Sequence, residues 1–458
     1  MRGGPARAIV APVPTDLKRE LGLLDTTMIN VGTMIASAIF IVPATIAAQV
    51  PGSALMILVW VVGGVVSLLG ALSVAELGAA YPEAGGQYAY LREAYGPAWA
   101  FLYGWANFAV INPASIAAIA VGFATYLGFF VSLSPLAIQV VAIGSIAGLT
   151  LLNCLGVRLG ATTQNVLTFL KMGALAALVI AAFVLPGGGA ANFQPLWPPG
   201  PAGGWIRPFG VAMIGVLWAY DGWLETTYVG SEIKNPGRNL PRSIILSTVI
   251  VIAFYVLASV AYSYVLSPAR MAGVTLVASD AAQVTMGAVG AGFVAAAILV
   301  STLGANNGII LTAARIPYAM ARGGLFFRSQ GSVHPRFGTP VVALVTQGVI
   351  SSLLALTGRY DQLFLYVVFA QFTFYALGCG AVMRLRRTAP QVPRPYRTWG
   401  YPVTPLVFIA FALWLVQNTI RASPGDSAVG AGLILCGLPG YWYWKGRAAS
   451  LPPRSVVE

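Results

Sequence analysis

Three charged residues lie inside long apolar runs of this sequence. Lys171 occupies the middle of TTQNVLTFLKMGALAALVI, and Asp221 and Glu225 lie in VLWAYDGWLETTYVGSEIKNP. A charge within an apolar span is costly, so each such residue is a functional candidate by default. Glu225 could bind a cationic group, carry a proton, or pair with the neighbouring hydroxyls of Thr226 and Thr227.

A short run of small residues interrupts the first apolar segment. Ile35, Ala36, Ser37 and Ala38 lie near its middle, and Pro43 follows them. The run either packs closely against another helix or marks a break in its own helix. A break frees backbone N–H and C=O groups, which are costly in lipid and therefore must line a cavity or bind a ligand.

Composition indicates the environment of these residues. The chain has 458 residues, of which 58% are hydrophobic and 9% are charged. Segments of about 20 apolar residues can cross the hydrocarbon core of a membrane as helices. The sequence therefore predicts an all-α polytopic membrane protein. Its twelve predicted transmembrane helices cover residues 25–50, 53–80, 97–126, 134–155, 163–185, 207–233, 241–266, 286–319, 340–357, 361–385, 402–420 and 427–444.

The basic residues predict the orientation of the chain, which has a formal net charge of +13. If the N-terminus is cytoplasmic, the inner loops and tails hold 21 of the 26 Lys and Arg residues, as the positive-inside rule requires. We therefore expect cytoplasmic N- and C-termini, a location in the cell inner (plasma) membrane, and no nucleic-acid partner. No cleavage site follows a short apolar core, so we expect no signal peptide.

The two interrupted segments, spans 1 and 6, are five spans apart. This offset predicts two inverted repeats, at about 25–185 and 207–385, which form a transport core at 25–385. Interrupted helices at matching positions of two repeats are the best sequence indication of a transporter binding site. The remaining parts are a cytoplasmic N-terminal tail at 1–24, a cytoplasmic linker at 386–401, transmembrane helices 11 and 12 at 402–444, and a cytoplasmic C-terminal tail at 445–458.

Several stretches together resemble a known family: VGTMIASAIFIVP, AELGAAYPEAGGQYAYLREAYGP, WAYDGWLETTYVGSEIKNPGRNLPRSI, NGIILTAARIPYAMARGG, VHPRFGTP and GLPGYWYWK. In this order they resemble the amino acid–polyamine–organocation (APC) transporter superfamily. The chain is most similar to its L-type amino acid transporters and bacterial serine/threonine exchangers. The resemblance covers 17–445 and implies a LeuT-like fold, with twelve helices, a 5+5 inverted repeat, broken helices 1 and 6, and two extra helices.

The resemblance assigns the first break to the substrate. It implies that backbone amides around Ile35, Ala36, Ser37 and Ala38 bind the substrate carboxylate, because a helix N-terminus favours an anion. Relatives have Gly-Ser-Gly here, whereas this chain has alanine at both glycine positions. The two methyl groups predict either a smaller or reshaped pocket, or a closed break that is packed. Alanine is strained at such a break only if the break needs a positive φ.

The resemblance assigns the second break to the substrate ammonium and to a gate. Trp218 stands where relatives have an aromatic gate over the substrate. The backbone carbonyls of Ala219 and Tyr220 are expected to face the ammonium, and Asp221 lies in the unwound segment. Glu225 departs from the L-type pattern, in which this position is usually uncharged.

Other spans supply the remaining candidates. The lysine that matches Lys171 stands where sodium-coupled relatives hold a sodium ion, and Ser301 is the matching position of span 8. The resemblance therefore implies sodium-independent transport, with Lys171 as a tethered cation. Proton coupling through Lys171 is one alternative, and an ammonium that extends to the membrane surface is another. Asn112 in span 3 and Gln371 in span 10 match positions near the substrate.

These features predict a transporter and not an enzyme, without a cofactor. We also expect no metal site, because the single histidine, His334, has no partner at ligand spacing. The first hypothesis is sodium-independent, alternating-access exchange of small or medium neutral L-amino acids. The alternatives are transport of a cationic amino acid, polyamine or other amine anchored by Glu225, and proton-coupled symport. The loop 128–135 lacks the cysteine through which animal L-type transporters join a heavy chain, so we expect no disulfide-linked heavy-chain partner.

Three local predictions concern the surface and the thiols. Residues 81–101 predict a short amphipathic helix on the cytoplasmic face. Glu232 and Lys234 predict an ion pair at the inner surface. The three cysteines, Cys154, Cys379 and Cys436, are expected to be small buried side chains rather than disulfides.

Overall fold

The computed structural model describes residues 15–198, 204–357 and 360–449. Within these ranges the regular structure is helical, apart from two isolated bridges, one between Leu21 and Ile233 and one between Ala84 and Val229. The predicted tails at 1–24 and 445–458 lie partly outside the described residues.

Twenty α-helices follow one another along the described chain. They are α1 (Leu23–Met34), α2 (Ala38–Gln49), α3 (Ser53–Ala80), α4 (Gln87–Tyr95), α5 (Pro97–Ala106), α6 (Asn112–Leu127), α7 (Pro135–Cys154), α8 (Val157–Val184), α9 (Ile206–Ala219), α10 (Glu225–Tyr228), α11 (Pro236–Val265), α12 (Pro268–Ala272), α13 (Val277–Met286), α14 (Ala288–Ala313), α15 (Arg315–Arg322), α16 (Val341–Thr357), α17 (Tyr360–Thr388), α18 (Val403–Ala422), α19 (Pro424–Leu435) and α20 (Gly437–Ala449). Shorter elements are a π-helix (Asn107–Ile111) and 3₁₀ helices at Ala190–Phe193, Gly230–Glu232 and Arg328–Gly331.

Seven helices of the described chain are long and apolar enough to cross a membrane. The pair α1 and α2 meets the same criterion as one span that is bent by 41°. The helices α9 and α16 are apolar but shorter. This is the pattern of an all-helical polytopic membrane protein, as predicted, whereas the count of twelve spans stays a prediction. The seven spans are Ser53–Ala80, Pro97–Leu127, Pro135–Cys154, Val157–Val184, Pro236–Val265, Ala288–Arg322 and Val403–Arg421.

The interrupted first span lies within a frame of continuous helices. Asp25 Oδ2 accepts a hydrogen bond of 2.8 Å from the Gly22 N–H at the start of α1, which is the reciprocal contact of a capped N-terminus. The side chains of α1 from Thr26 to Met34 are buried. α1 packs against α8, α11 and α14, and α2 packs against α9. The frame therefore positions the break between α1 and α2.

The short helix predicted within residues 81–101 is α4, Gln87–Tyr95. α4 contacts α5 and α17, and Tyr88 and Tyr90 are fully buried. Burial raises the pKa of Tyr88 to about 12. The apolar side of α4 is therefore covered by other helices of the chain rather than by lipid, and its position at the cytoplasmic face stays a prediction.

The predicted ion pair between Glu232 and Lys234 is wrong. Glu232 is fully buried, and its carboxylate accepts two hydrogen bonds, of 2.7 and 3.0 Å, from the guanidinium of Arg315. Lys234 is exposed. Arg315 is itself fully buried at the start of α15, and a buried guanidinium needs a carboxylate partner.

The last predicted span, 427–444, is divided. α19 and α20 meet at Cys436, and Pro439 in the first turn of α20 lacks the N–H that a continuous helix would use. Cys436 is exposed, whereas Cys154 and Cys379 are buried, and all three are free thiols. The expectation of a buried thiol is therefore wrong for Cys436.

Candidate functional site

The break between α1 and α2 leaves backbone donors without partners. Phe40 is the first residue of α2 whose N–H turns back onto the break, where it bonds to the Ser37 carbonyl at 3.1 Å. Among the described residues, no acceptor takes the N–H groups of Ser37, Ala38 and Ile39. Together with the positive end of the helix dipole, these groups can bind an anion.

Alanine at positions 36 and 38 does not strain this break. Within the described chain, Asn235 is the only non-glycine residue with a positive φ, and Ser37 has right-handed helical angles. Ala38 is buried, whereas Ala36 and Ser37 are partly exposed. The two alanines therefore fit this break without backbone strain, and carboxylate binding at these amides stays a prediction.

Lys171 of α8 reaches the C-terminal end of α1 and is 1% exposed. Its Nζ donates to the carbonyl oxygens of Gly32 (2.7 Å), Ile35 (2.8 Å) and Ser301 (2.9 Å). The Ser301 hydroxyl lies 2.9 Å from the Ile35 carbonyl oxygen and 3.2 Å from that of Ala36. The ammonium thus satisfies carbonyl groups at the negative end of the α1 dipole, and the alternative of an extended, surface-reaching Lys171 is wrong.

The second break lies between α9, which ends at Ala219, and α10, which begins at Glu225. Gly222 within it has a φ of +111°, a conformation that favours glycine. A Cβ atom at this position would lie 2.9 Å from Thr33 Oγ1 and 3.1 Å from the Met34 backbone nitrogen. The two breaks are therefore in direct contact at Gly222.

Asn30 of α1 connects the first span to the second break, and sequence reasoning missed it. Its Nδ2 donates to the Trp223 carbonyl at 2.8 Å, and its Oδ1 accepts from the Thr226 N–H at 3.0 Å. The side chain thereby satisfies one of the free donors at the start of α10. A single asparagine in an apolar run gave no signal of a partner 196 residues away.

Tyr255 of α11 contacts the C-terminal ends of both broken helices, and it too was missed. Its hydroxyl lies 2.7 Å from the Met34 carbonyl oxygen and 3.1 Å from that of Ala219. The ring packs between Trp60 and Tyr220, and the Tyr220 hydroxyl donates to the Trp60 carbonyl at 3.1 Å. The Ala219 carbonyl, predicted to face a substrate ammonium, therefore already faces a hydroxyl donor.

Asp221 in the unwound segment is held by two donors from α17. Tyr375 donates its hydroxyl to Oδ1 at 2.6 Å, and Gln371 donates its Nε2 to Oδ2 at 2.8 Å. The structure thus joins two predicted residues, Asp221 and Gln371, and adds Tyr375. The amide of Gln371 orients this carboxylate at the break.

Glu225 has a different hydroxyl partner from the predicted ones. It is 7% exposed, and one carboxylate oxygen accepts a hydrogen bond from Thr312 of α14. The hydroxyls of Thr226 and Thr227 have no described partner, so pairing of Glu225 with them is wrong. The other carboxylate oxygen of Glu225 has no hydrogen-bond partner among the described residues.

The last two candidates are Trp218 and Asn112. Trp218 is partly buried in the last turn of α9, directly before the second break, and packs against the apolar core. Asn112 is buried at the start of α6, and its described hydrogen bond, of 3.3 Å, goes to Asn107 in the same span. The structure therefore places Trp218 at the break and does not connect Asn112 to the other candidates.

Two interrupted helices that meet inside an all-helical apolar bundle are typical of membrane transporters. The sequence profile of the family described as amino acid permease matches residues 21–438, and the chain belongs to that family. This confirms both the predicted superfamily and the prediction of a transporter rather than an enzyme.

Three relatives match almost the whole chain. The b(0,+)-type amino acid transporter 1 of Homo sapiens is 33% identical over 423 residues, which are 90% of this chain and 85% of the relative. The serine/threonine exchanger SteT of Bacillus subtilis (strain 168) is 32% identical over 441 residues, 95% of this chain and 98% of the relative. The large neutral amino acids transporter small subunit 2 of Homo sapiens is 31% identical over 455 residues, 94% of this chain and 81% of the relative.

Proposed function

We propose that this permease exchanges small or medium neutral L-amino acids across the cell membrane by sodium-independent alternating access. The observation that carries the proposal is the position of the Lys171 ammonium, within 2.9 Å of three carbonyl oxygens at the end of α1. Carbonyl oxygens at a helix C-terminus attract a cation, and here the protein supplies that cation itself. No bound sodium ion is then needed to hold the break open.

The two breaks offer complementary groups to a zwitterion. The N–H groups of Ser37, Ala38 and Ile39 would bind the carboxylate. The carbonyls at the end of α9, from Ala219 and Tyr220, would bind the ammonium. Trp218 would cover the bound molecule and exclude water. The methyl groups at 36 and 38 narrow the carboxylate end, which favours small substrates.

Contact between the breaks supports the alternating-access part of the proposal. Gly222 lies against Thr33 and Met34, and the Thr33 hydroxyl lies 3.3 Å from the Gly222 carbonyl oxygen, so the two broken helices would move together. The proposed inverted repeats, 25–185 and 207–385, each contribute one of these helices. The continuous spans around them would serve as the static frame.

Transport in proteoliposomes tests the proposal. We expect uptake of labelled serine, alanine or leucine that depends on unlabelled amino acid inside the vesicle, because exchange requires a returning substrate. Replacing sodium with choline should leave the rate unchanged, and so should an imposed pH gradient. Uptake that requires sodium, or no movement of any amino acid, would contradict the proposal.

A specific observation also favours a second candidate, a cationic amino acid or amine as substrate. No basic side chain lies within 4.0 Å of the carboxylates of Asp221 and Glu225 in the described chain. Asp221 has two hydrogen-bond donors, whereas Glu225 has one, from Thr312. Glu225 therefore retains an acceptor for a substrate cation.

Replacing Glu225 with glutamine separates the two candidates. If the substrate is cationic, Glu225→Gln should weaken binding of arginine or putrescine by about 10- to 100-fold, since a charged hydrogen bond contributes about 1.5–3 kcal/mol. Thermal shifts measured with arginine, putrescine, serine, alanine and leucine give the readout. The matched control is Asp280→Asn, which removes an acid from a surface pair with Arg270. Stabilisation of the wild type by serine or leucine and not by arginine or putrescine would rule out the cationic candidate.

We also propose that the chain works without a disulfide-linked partner and with both termini in the cytoplasm. The loop 128–135 has no cysteine, and Cys154 and Cys379 are buried. The exposed Cys436 lies between α19 and α20, distant in sequence from that loop. Electrophoresis of native membranes with and without reductant should give the same band, and a C-terminal fluorescent fusion should mature in the cytoplasm.

A further inference from the structure

A groove of about 980 Å³ lies at the N-terminal end of α11. The segment before α1 and the linker between α17 and α18 form its other walls. Arg19, Arg238 and Arg242 line it, and Tyr396 and Trp399 stand at the linker side. It lies apart from the two helix breaks and shares no residue with them.

The three arginines of the groove are exposed and lack acidic partners. No carboxylate lies within 4.0 Å of any of them in the described chain. This differs from the arginines that the described structure pairs with Asp or Glu, which are Arg92, Arg270, Arg315, Arg322, Arg386 and Arg394. The groove therefore presents three uncompensated positive charges around one cavity.

The rest of the groove is aliphatic. Ile245, Leu246 and Val249 follow Arg242 at three, four and seven positions, so they continue the same face of α11. Leu246 and Val249 are 45% and 46% exposed. Because α11 is one of the apolar spans, this face leads from the basic end of the groove towards the hydrocarbon core.

We infer that this groove binds an anionic phospholipid, with its headgroup phosphate among the arginines and an acyl chain along α11. Guanidinium groups bind phosphate through paired hydrogen bonds, and aliphatic side chains at membrane depth match an acyl chain. Trp399, which is 67% exposed, has the amphipathic ring typical of the membrane interface. A soluble phosphate compound would leave the aliphatic face of the groove unused.

Such a lipid would connect three parts of the chain. Arg19 precedes α1, Arg242 belongs to α11, and Trp399 belongs to the linker before α18. A headgroup bound to all three walls would restrain the start of the broken first span. We therefore expect the lipid to stabilise the folded protein as well as to bind.

Lipid-dependent stabilisation tests the inference on the full chain in a neutral detergent. Phosphatidylglycerol should raise the melting temperature, whereas phosphatidylcholine with the same acyl chains and free glycerol 3-phosphate should not. Native mass spectrometry should show bound phosphatidylglycerol. Combining Arg19→Gln, Arg238→Gln and Arg242→Gln should weaken binding by about 100-fold, from about 1 kcal/mol per basic residue at a membrane surface.

A second triple variant controls for net charge. Arg158→Gln, Arg328→Gln and Arg387→Gln remove three exposed arginines away from the groove, and this variant should bind phosphatidylglycerol like the wild type. Equal weakening in both triple variants would overturn the inference, because it would show general charge attraction. Equal stabilisation by glycerol 3-phosphate would overturn it in favour of a soluble anion site.

Discussion

Replacing Lys171 with methionine is expected to abolish exchange. Methionine has a similar length but no ammonium, so the Gly32 carbonyl at the end of α1 loses its described donor. A buried acceptor without a partner costs about 1–3 kcal/mol. The carbonyl groups at the end of α1 should therefore move from their present positions beside the break. Amino acid exchange in proteoliposomes should fall to the background of empty vesicles, and the melting temperature should fall as well.

Ser301→Ala is the matched control for Lys171. It removes the hydroxyl near the Ile35 and Ala36 carbonyls but keeps the ammonium, so it should lower the stability of the protein by about 1 kcal/mol.

Lys171→Ala tests whether the ammonium takes the place of a bound cation, because this variant leaves a space bordered by carbonyl oxygens. Sodium chloride should raise the melting temperature of Lys171→Ala relative to choline chloride and should leave the wild type unchanged. Exchange by Lys171→Met at the wild-type rate would contradict the role of this ammonium.

Replacing Arg315 with methionine is expected to cause the largest loss of stability in the chain. The change leaves the Glu232 carboxylate buried without its two guanidinium hydrogen bonds. Removing one partner of a buried ion pair costs about 3–5 kcal/mol. A thiol-reactive dye can follow unfolding, because Cys154 and Cys379 are buried in the folded protein and become accessible when it unfolds.

A double variant distinguishes charge burial from lost packing. Combining Glu232→Leu with Arg315→Met removes both charges and keeps similar volume, and such replacements are often neutral. The double variant should therefore recover most of the stability lost by Arg315→Met. A double variant as unstable as the single one would show that packing of Arg315, rather than its charge, stabilises this region.

Local sequence predicted the long helices and the positions of both breaks. Apolar runs of about 20 residues identify spans whatever their neighbours, and the small residues at 35–38 and the acids at 221 and 225 mark the interruptions. The division of the last predicted span at Cys436, between α19 and α20, was not predicted.

Contacts between distant residues could not be predicted in the same way. Glu232 and Arg315 are 83 residues apart, and Glu225 and Thr312 are 87 apart. Each partner alone is compatible with a surface pair or a local hydrogen bond. Only the position of α14 and α15 beside the second break selects the observed partner. The contacts of Lys171 with α1 and α14 agree with the positions that the family resemblance implied, which local pattern alone did not supply.

The Tyr255 hydroxyl has fewer hydrogens to donate than it has carbonyl neighbours. It stands between the Met34 and Ala219 carbonyl oxygens, yet a hydroxyl has a single hydrogen to donate. The Met34 carbonyl also accepts the Ala36 N–H at 2.9 Å, whereas Tyr255 is the described donor to the Ala219 carbonyl. When the hydroxyl points to Met34, the Ala219 carbonyl therefore loses that donor. An ammonium group has three hydrogens to donate, so the proposed substrate ammonium at the Ala219 carbonyl would leave the Tyr255 hydroxyl free to bond to Met34.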